Sequence, residues 1–152
     1  MTSMAEQTLE MNMRIEILLG ALMLATTAVP ATAHEPDQAI ATSPPESPYQ
    51  QVSNLVKLPD FLPGLGQLFV DPATLPAGPF LAYDHEGALV STIYMVPIDD
   101  INPDKGFNDL LAPGGNVDHV DIHYNPGHPG VDVPHAHIVL WHVGDGESRV
   151  AK

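Results

Sequence analysis

Residues 117–143, which read VDHVDIHYNPGHPGVDVPHAHIVLWHV, constrain the fold of this chain more than any other stretch. Both ends of the stretch alternate polar and apolar residues, which is the pattern of a β-strand whose side chains point to opposite faces. Residues 125–134 between them are rich in Gly and Pro and are typical of a loop. The stretch therefore predicts two antiparallel strands joined by a loop, and it contains six of the eight histidines.

The pairing register of this hairpin decides whether its histidines share a face. Directly paired residues share a face, and a slip of one residue exchanges the two faces. We predict that paired residue numbers add to an even value, as when His123 pairs with His135 or with His137. This register places His119 and Asp121 on the same face as those three histidines. It collects the apolar residues on the opposite face, which we expect to be the core face: Val120, Ile122, Tyr124, Ala136, Ile138 and Leu140.

Spacing along the strands narrows the candidate ligands of a metal ion. Same-face neighbours on a strand lie about 6.8 Å apart, so His135 and His137 can share one metal, whereas His119 and His123 are roughly 13 Å apart. The predicted metal site is therefore His123, His135 and His137, with Asp121 as a fourth ligand or as an acceptor for an imidazole N–H. The chain has no cysteine. Three imidazoles with an open position suit a transition metal such as zinc or copper.

Three further histidines of the stretch receive other predictions. His119 lies further along the polar face and His128 lies in the Gly- and Pro-rich loop, so both belong to the periphery of the site. His142 falls on the apolar face, where a structural role is expected.

These residues leave three functions open. The first is an exported protein that binds a transition metal through the histidine cluster. The second is a metal-dependent enzyme acting on a small organic molecule, with His119 or Asp121 moving protons. The third is an oligomeric envelope or stress protein whose histidines are structural.

Two other segments complete the predicted fold. Residues 79–97 predict a β-hairpin, with Phe80 to Tyr83 leading into a turn that ends at Gly87. The return strand is apolar on both sides, which favours a central position in the sheet. Residues 98–112 predict a short helix capped by Asn102. The expected class is β-rich α+β: a single curved antiparallel sheet or small barrel with one or two short helices.

Composition limits the partners and the location of the chain. The net charge of −14 repels phosphate backbones and disfavours an anionic membrane surface, so we expect no nucleic-acid partner. Residues 1–33 resemble a signal peptide, with an apolar run followed by Ala31-Thr32-Ala33. They predict an exported protein, periplasmic or extracellular, that leaves the membrane when the signal is removed. Residues 34–49 are predicted to be a flexible linker, and residues 50–148 a single β-rich domain.

Three motifs carry a resemblance to a known family: Tyr-Met-Val-Pro at 94–97, His-Tyr-Asn-Pro-Gly-His-Pro-Gly at 123–130, and Pro-His-Ala-His at 134–137. With them, residues 60–143 resemble a family of bacterial exported proteins catalogued as a domain of unknown function. The resemblance implies a compact β-rich domain that associates with copies of itself. It implies no activity and no catalytic residues. A weaker similarity to cupins rests on His135-x-His137, but the glutamate that cupins place after this pair is missing.

Overall fold

One antiparallel sheet organises residues 37–152, which are the residues described by the computed structural model. The sheet has the strand order β1-β2-β3-β4-β6-β5 and is not closed into a barrel. Its strands are β1 Gln50–Gln51, β2 Gln67–Val70, β3 Phe80–Tyr83, β4 Leu89–Pro97, β5 His119–Asn125 and β6 His135–Trp141, and the helices are α1 Val52–Leu55 and α2 Gly146–Arg149. This architecture confirms the predicted β-rich α+β class with a single sheet.

The hairpin predicted at residues 79–97 is confirmed. It is formed by β3 and β4, which pair antiparallel around a turn closed by Gly87. Strand β4 is central and is buried along eight of its nine residues. Its residues belong to two apolar clusters, Leu89 to one and Val90, Ile93 and Met95 to the other, so the apolar character of both sides of this strand matches its burial.

The predicted register of the histidine hairpin is also confirmed. Strands β5 and β6 pair antiparallel with His123 opposite His137 and Asp121 opposite Val139, so paired numbers add to an even value. On its other side, β6 pairs with β4, with Met95 opposite His137. The polar set of β5 and the His-x-His pair of β6 therefore lie on one face of the sheet.

The prediction of which face is buried was wrong. On β5, Val120 is 50% exposed, and Ile122 and Tyr124 are each 69% exposed. The histidine face is the one that packs: His135, His137, Val139 and Trp141 of β6 are all buried. This face is buried because it continues onto the neighbouring strand β4, where Ile93 and Met95 belong to the main apolar core. Helix α1 and the chain before β2 cover that core.

The prediction of a helix within residues 98–112 was also wrong. A 3-10 turn forms at Ile98–Asp100, and no α-helix forms in residues 101–112 that follow it. The Asn102 side chain does accept hydrogen bonds from the backbone N–H groups of Asp104 and Lys105, as an N-cap would. However, the backbones of Asn102 and Lys105 bond to each other and close a turn, so the helix does not continue.

The predicted signal peptide at residues 1–33 lies outside the described residues. In the segment predicted as a linker, residues 37–49 contact the sheet: Ile40 is 6% exposed, and its carbonyl accepts a hydrogen bond from the Tyr83 hydroxyl. The Ser43 backbone N–H bonds to the carbonyl of Gly87. Within residues 37–152, no helix has the length and apolar character needed to cross a membrane.

Candidate metal centre

Strand β6 presents two histidines to the interior. His135 and His137 are separated by one residue and therefore point to the same face of the sheet. His135 is 0% exposed and His137 is 6% exposed. Their Nε2 atoms lie 3.0 Å apart. Two imidazoles are thus buried side by side, and both direct the same ring nitrogen to one point.

A turn in the loop between β5 and β6 adds a third histidine. The backbones of His128 and Val131 bond to each other in both directions, which closes a turn with Pro129 and Gly130 at its centre. Gly130 has φ +94°, a value that glycine tolerates at this position after proline. Val131 is buried in the main core and anchors the turn. The turn directs the His128 ring back over β6.

The three histidines form a compact triad of His128, His135 and His137. The Nε2 atoms of His128 and His135 are 3.2 Å apart, and one ligand atom from each of the three residues lies within 4.8 Å of the others. Two ligand nitrogens bound at 2.0–2.1 Å to a tetrahedral zinc ion would be about 3.3 Å apart. The spacing of the triad therefore fits a single tetrahedral metal ion.

The rings of His135 and His128 form hydrogen bonds through Nδ1, which leaves their Nε2 atoms available as ligands. Nδ1 of His135 lies 2.8 Å from the carbonyl oxygen of Val133, and Nδ1 of His128 lies 3.0 Å from that of Pro129. A carbonyl only accepts, so each Nδ1 carries the proton and donates it. In the neutral rings the two Nε2 atoms then face each other as lone pairs. A shared cation makes this contact attractive, and the carbonyls orient the rings as they do around bound metals.

Burial keeps the third imidazole neutral. Desolvation lowers the pKa of His137 to about 4, and the neighbouring His135, His128 and His123 contribute to this shift in the same direction. A neutral imidazole is the form that binds metal ions. At neutral pH, His137 therefore needs to lose no proton before it can act as a ligand.

The other residues predicted for the site lie beside the triad. His123 is opposite His137 but is exposed on the edge strand and is outside the group of close nitrogens. Asp121 accepts a 2.8 Å hydrogen bond from Nε1 of Trp141, and the ring of His119 stacks on the same indole. Metal binding by His123 or Asp121 stays a prediction, whereas the distances favour His128, which the sequence placed only at the periphery.

His142 has the hydrogen bonds of a structural residue. Its Nδ1 donates to the carbonyl of Asn116, and its Nε2 accepts from the hydroxyl of Thr92, each at 2.8 Å. Burial lowers the pKa of His142, and the bond to Asn116 opposes this shift. Both ring nitrogens are occupied, so this residue has no free position for a ligand.

An apolar cavity of about 260 Å³ adjoins the triad. His128 and His137 form part of its wall, together with Asn125. The remaining described lining comes mainly from aliphatic side chains of α1, β2 and the segments around them. Two members of the triad, His128 and His137, therefore border an apolar cavity.

The fold and the site define a class: a small single-sheet protein with a largely buried cluster of three histidines beside an apolar cavity. Comparisons with protein-family models and with curated proteins find no match. A search of solved structures finds the hypothetical protein TTHB210 from Thermus thermophilus, with 43% identity and a TM-score of 0.52. The match covers 62% of this chain and 87% of that one. This chain belongs to the same family as TTHB210.

Proposed function

We propose that this chain is an exported protein that binds one transition metal ion, zinc or copper, through Nε2 of His128, His135 and His137. The observation that carries the proposal is the convergence of three Nε2 atoms, two of which present lone pairs in the neutral rings because their Nδ1 atoms donate to carbonyls. Because His128 and His137 also line the apolar cavity, a molecule in that cavity would be able to reach the ion. Copper is expected to bind more tightly than zinc at a site of this kind.

Export and the partner class are parts of the same proposal. The apolar run and small-residue motif before residue 34 support export. The chain has no cysteine to supply a thiolate, and imidazole is a side chain well suited to zinc and copper. The strongly acidic composition supports a protein with no nucleic-acid partner. Association with a second copy is supported by the exposed apolar residues Val120, Ile122 and Tyr124 on edge strand β5.

The test compares two single substitutions that separate the structural ligand set from the one predicted by sequence alone. His128→Gln removes a member of the triad from a half-buried loop position, whereas His123→Gln removes an exposed histidine of the neighbouring strand. Protein without a histidine tag is treated with a chelator, and zinc and copper are then titrated by calorimetry. We expect one equivalent to bind. His128→Gln should weaken binding more than about 100-fold, since even outer-shell partners are worth 10–100-fold, while His123→Gln should change it little.

Thermal unfolding supplies an independent readout. Metal at about 100 times its Kd stabilises a folded protein by about 2.7 kcal/mol, which corresponds to a rise in Tm of roughly 10 °C for a domain of this size. Fewer than about 0.1 equivalents of bound metal together with an unchanged Tm would contradict the proposal. An equal loss of affinity in both variants would return His123 to the ligand set.

A further inference from the structure

The cavity beside the triad has the composition of a small-molecule site. Apolar side chains such as Leu68, Val70 and Phe80 form its walls, and the polar groups gather where Asn125, His128 and His137 meet it. Ligand pockets typically combine an apolar wall with a few polar groups that fix orientation. A molecule bound here would bury an apolar body and direct one polar end at the triad.

The net charge of a metal ion bound to the triad determines which polar group is best suited to that end of the ligand. Three neutral imidazoles leave a divalent ion with its full 2+ charge, and none of the described residues that line the cavity is an Asp, Glu, Lys or Arg. The nearby carboxylate of Asp121 is held by the indole of Trp141. In an apolar environment an uncompensated charge is costly, and an anionic oxygen donor relieves that cost. A carboxylate fits the open position better than a neutral alcohol does.

The size of the cavity limits the apolar body. At about 30 Å³ for one water molecule, 260 Å³ corresponds to a ligand on the order of ten non-hydrogen atoms. Octanoate, an unbranched carboxylate of that size, is therefore a suitable probe.

From these observations we infer that the cavity binds a small organic carboxylate with an apolar body, and that its carboxylate completes the coordination of the metal ion held by the triad. The inference rests on the proposed metal site. It adds the class of ligand that the site takes.

The experiment uses the full chain, freed of metal and reloaded with cobalt(II), whose visible absorption changes when its ligands change. Octanoate, acetate and octanol are titrated at physiological salt. Each buried methylene strengthens binding roughly fourfold, so octanoate should bind at least about 100-fold more tightly than acetate. Octanoate should also change the cobalt absorption, and octanol should leave it unchanged.

Two matched variants locate the binding site. Leu75 lines the cavity and is 46% exposed, whereas Leu110 is 43% exposed and is not part of the lining. Leu75→Glu places a negative charge at the cavity and should weaken octanoate binding by about tenfold or more, through like-charge repulsion and loss of apolar contact. Leu110→Glu should change it less than about twofold.

Each other outcome overturns the inference in a recognisable way. If cobalt does not bind, the proposed metal site fails and the inference fails with it. If cobalt binds and octanoate has no effect, only the inference fails. Equal octanoate affinity without cobalt would show that the carboxylate does not contact the metal. If octanoate does not bind and Leu75→Glu alone abolishes self-association, the cavity is an interface between copies.

Discussion

The burial of His137 predicts how the stability of the metal-free protein depends on pH. Burial lowers the pKa of His137 from 6.5 to about 4 in the folded state, and the imidazole regains its ordinary pKa when the chain unfolds. Between these two values the unfolded chain binds more protons than the folded protein. The free energy of unfolding should therefore fall as the pH drops from about 6.5 to about 4, and this contribution should level off below that range.

The size of the effect follows from the pKa difference. A difference of about 2.5 units at 1.36 kcal/mol per unit corresponds to about 3 kcal/mol of stability lost across the window. A loss of this size is a large fraction of the total stability of a domain, which is typically 5–15 kcal/mol.

Urea denaturation with a chelator present, at several pH values between 7.5 and 4, measures the loss. His137→Gln removes the titrating group but keeps a polar side chain of similar length. The difference in stability between wild type and this variant should change by about 3 kcal/mol over the window, because groups that do not interact with His137 titrate alike in both proteins and cancel. His85→Gln, which replaces an exposed histidine in the turn after β3 that does not contribute to the pKa shift of His137, serves as the control. Parallel pH curves for wild type and His137→Gln would refute the reasoning.

Three further predictions concern the sheet around the site. Asp121→Ala leaves the indole N–H of Trp141 without its acceptor and should lower the free energy of unfolding by about 1–3 kcal/mol. Asp121→Asn keeps an acceptor and should lower the free energy of unfolding less. Equal losses of stability for the two variants in urea denaturation would count against this hydrogen bond. Gly146→Ala places a Cβ 2.4 Å from Cε3 of Trp141 and should destabilise by about 1–3 kcal/mol, while Gly106→Ala, with 4.0 Å to its nearest neighbour, serves as the control in the same assay. Ile122→Glu introduces a charge into the exposed apolar face of β5 and should reduce the mass measured by light scattering to that of one chain; an unchanged oligomer would place the contact elsewhere.

Part of the candidate site could be predicted from local pattern alone. His135 and His137 share a face because the side-chain period of a strand is two, and this holds in any sheet. His128 could not be assigned in the same way, because its position depends on the turn at Pro129 and Gly130 and on the burial of Val131 in the core. The two Pro-Gly pairs of the loop, Pro126-Gly127 and Pro129-Gly130, were the local signals that the chain turns here.

The sequence by itself determined the strands, the register of the histidine hairpin and the central position of β4, because alternation and turn chemistry act over a few neighbouring residues. Only the tertiary structure decided which face of that hairpin is buried. Both faces of the hairpin carry apolar residues, and the choice between them depends on α1 and the chain before β2, which are distant in sequence but cover the histidine face. The same long-range packing buries His135 and His137 and brings His128 beside them, which turns a pair of imidazoles on a strand into a cluster of three that could hold a metal ion.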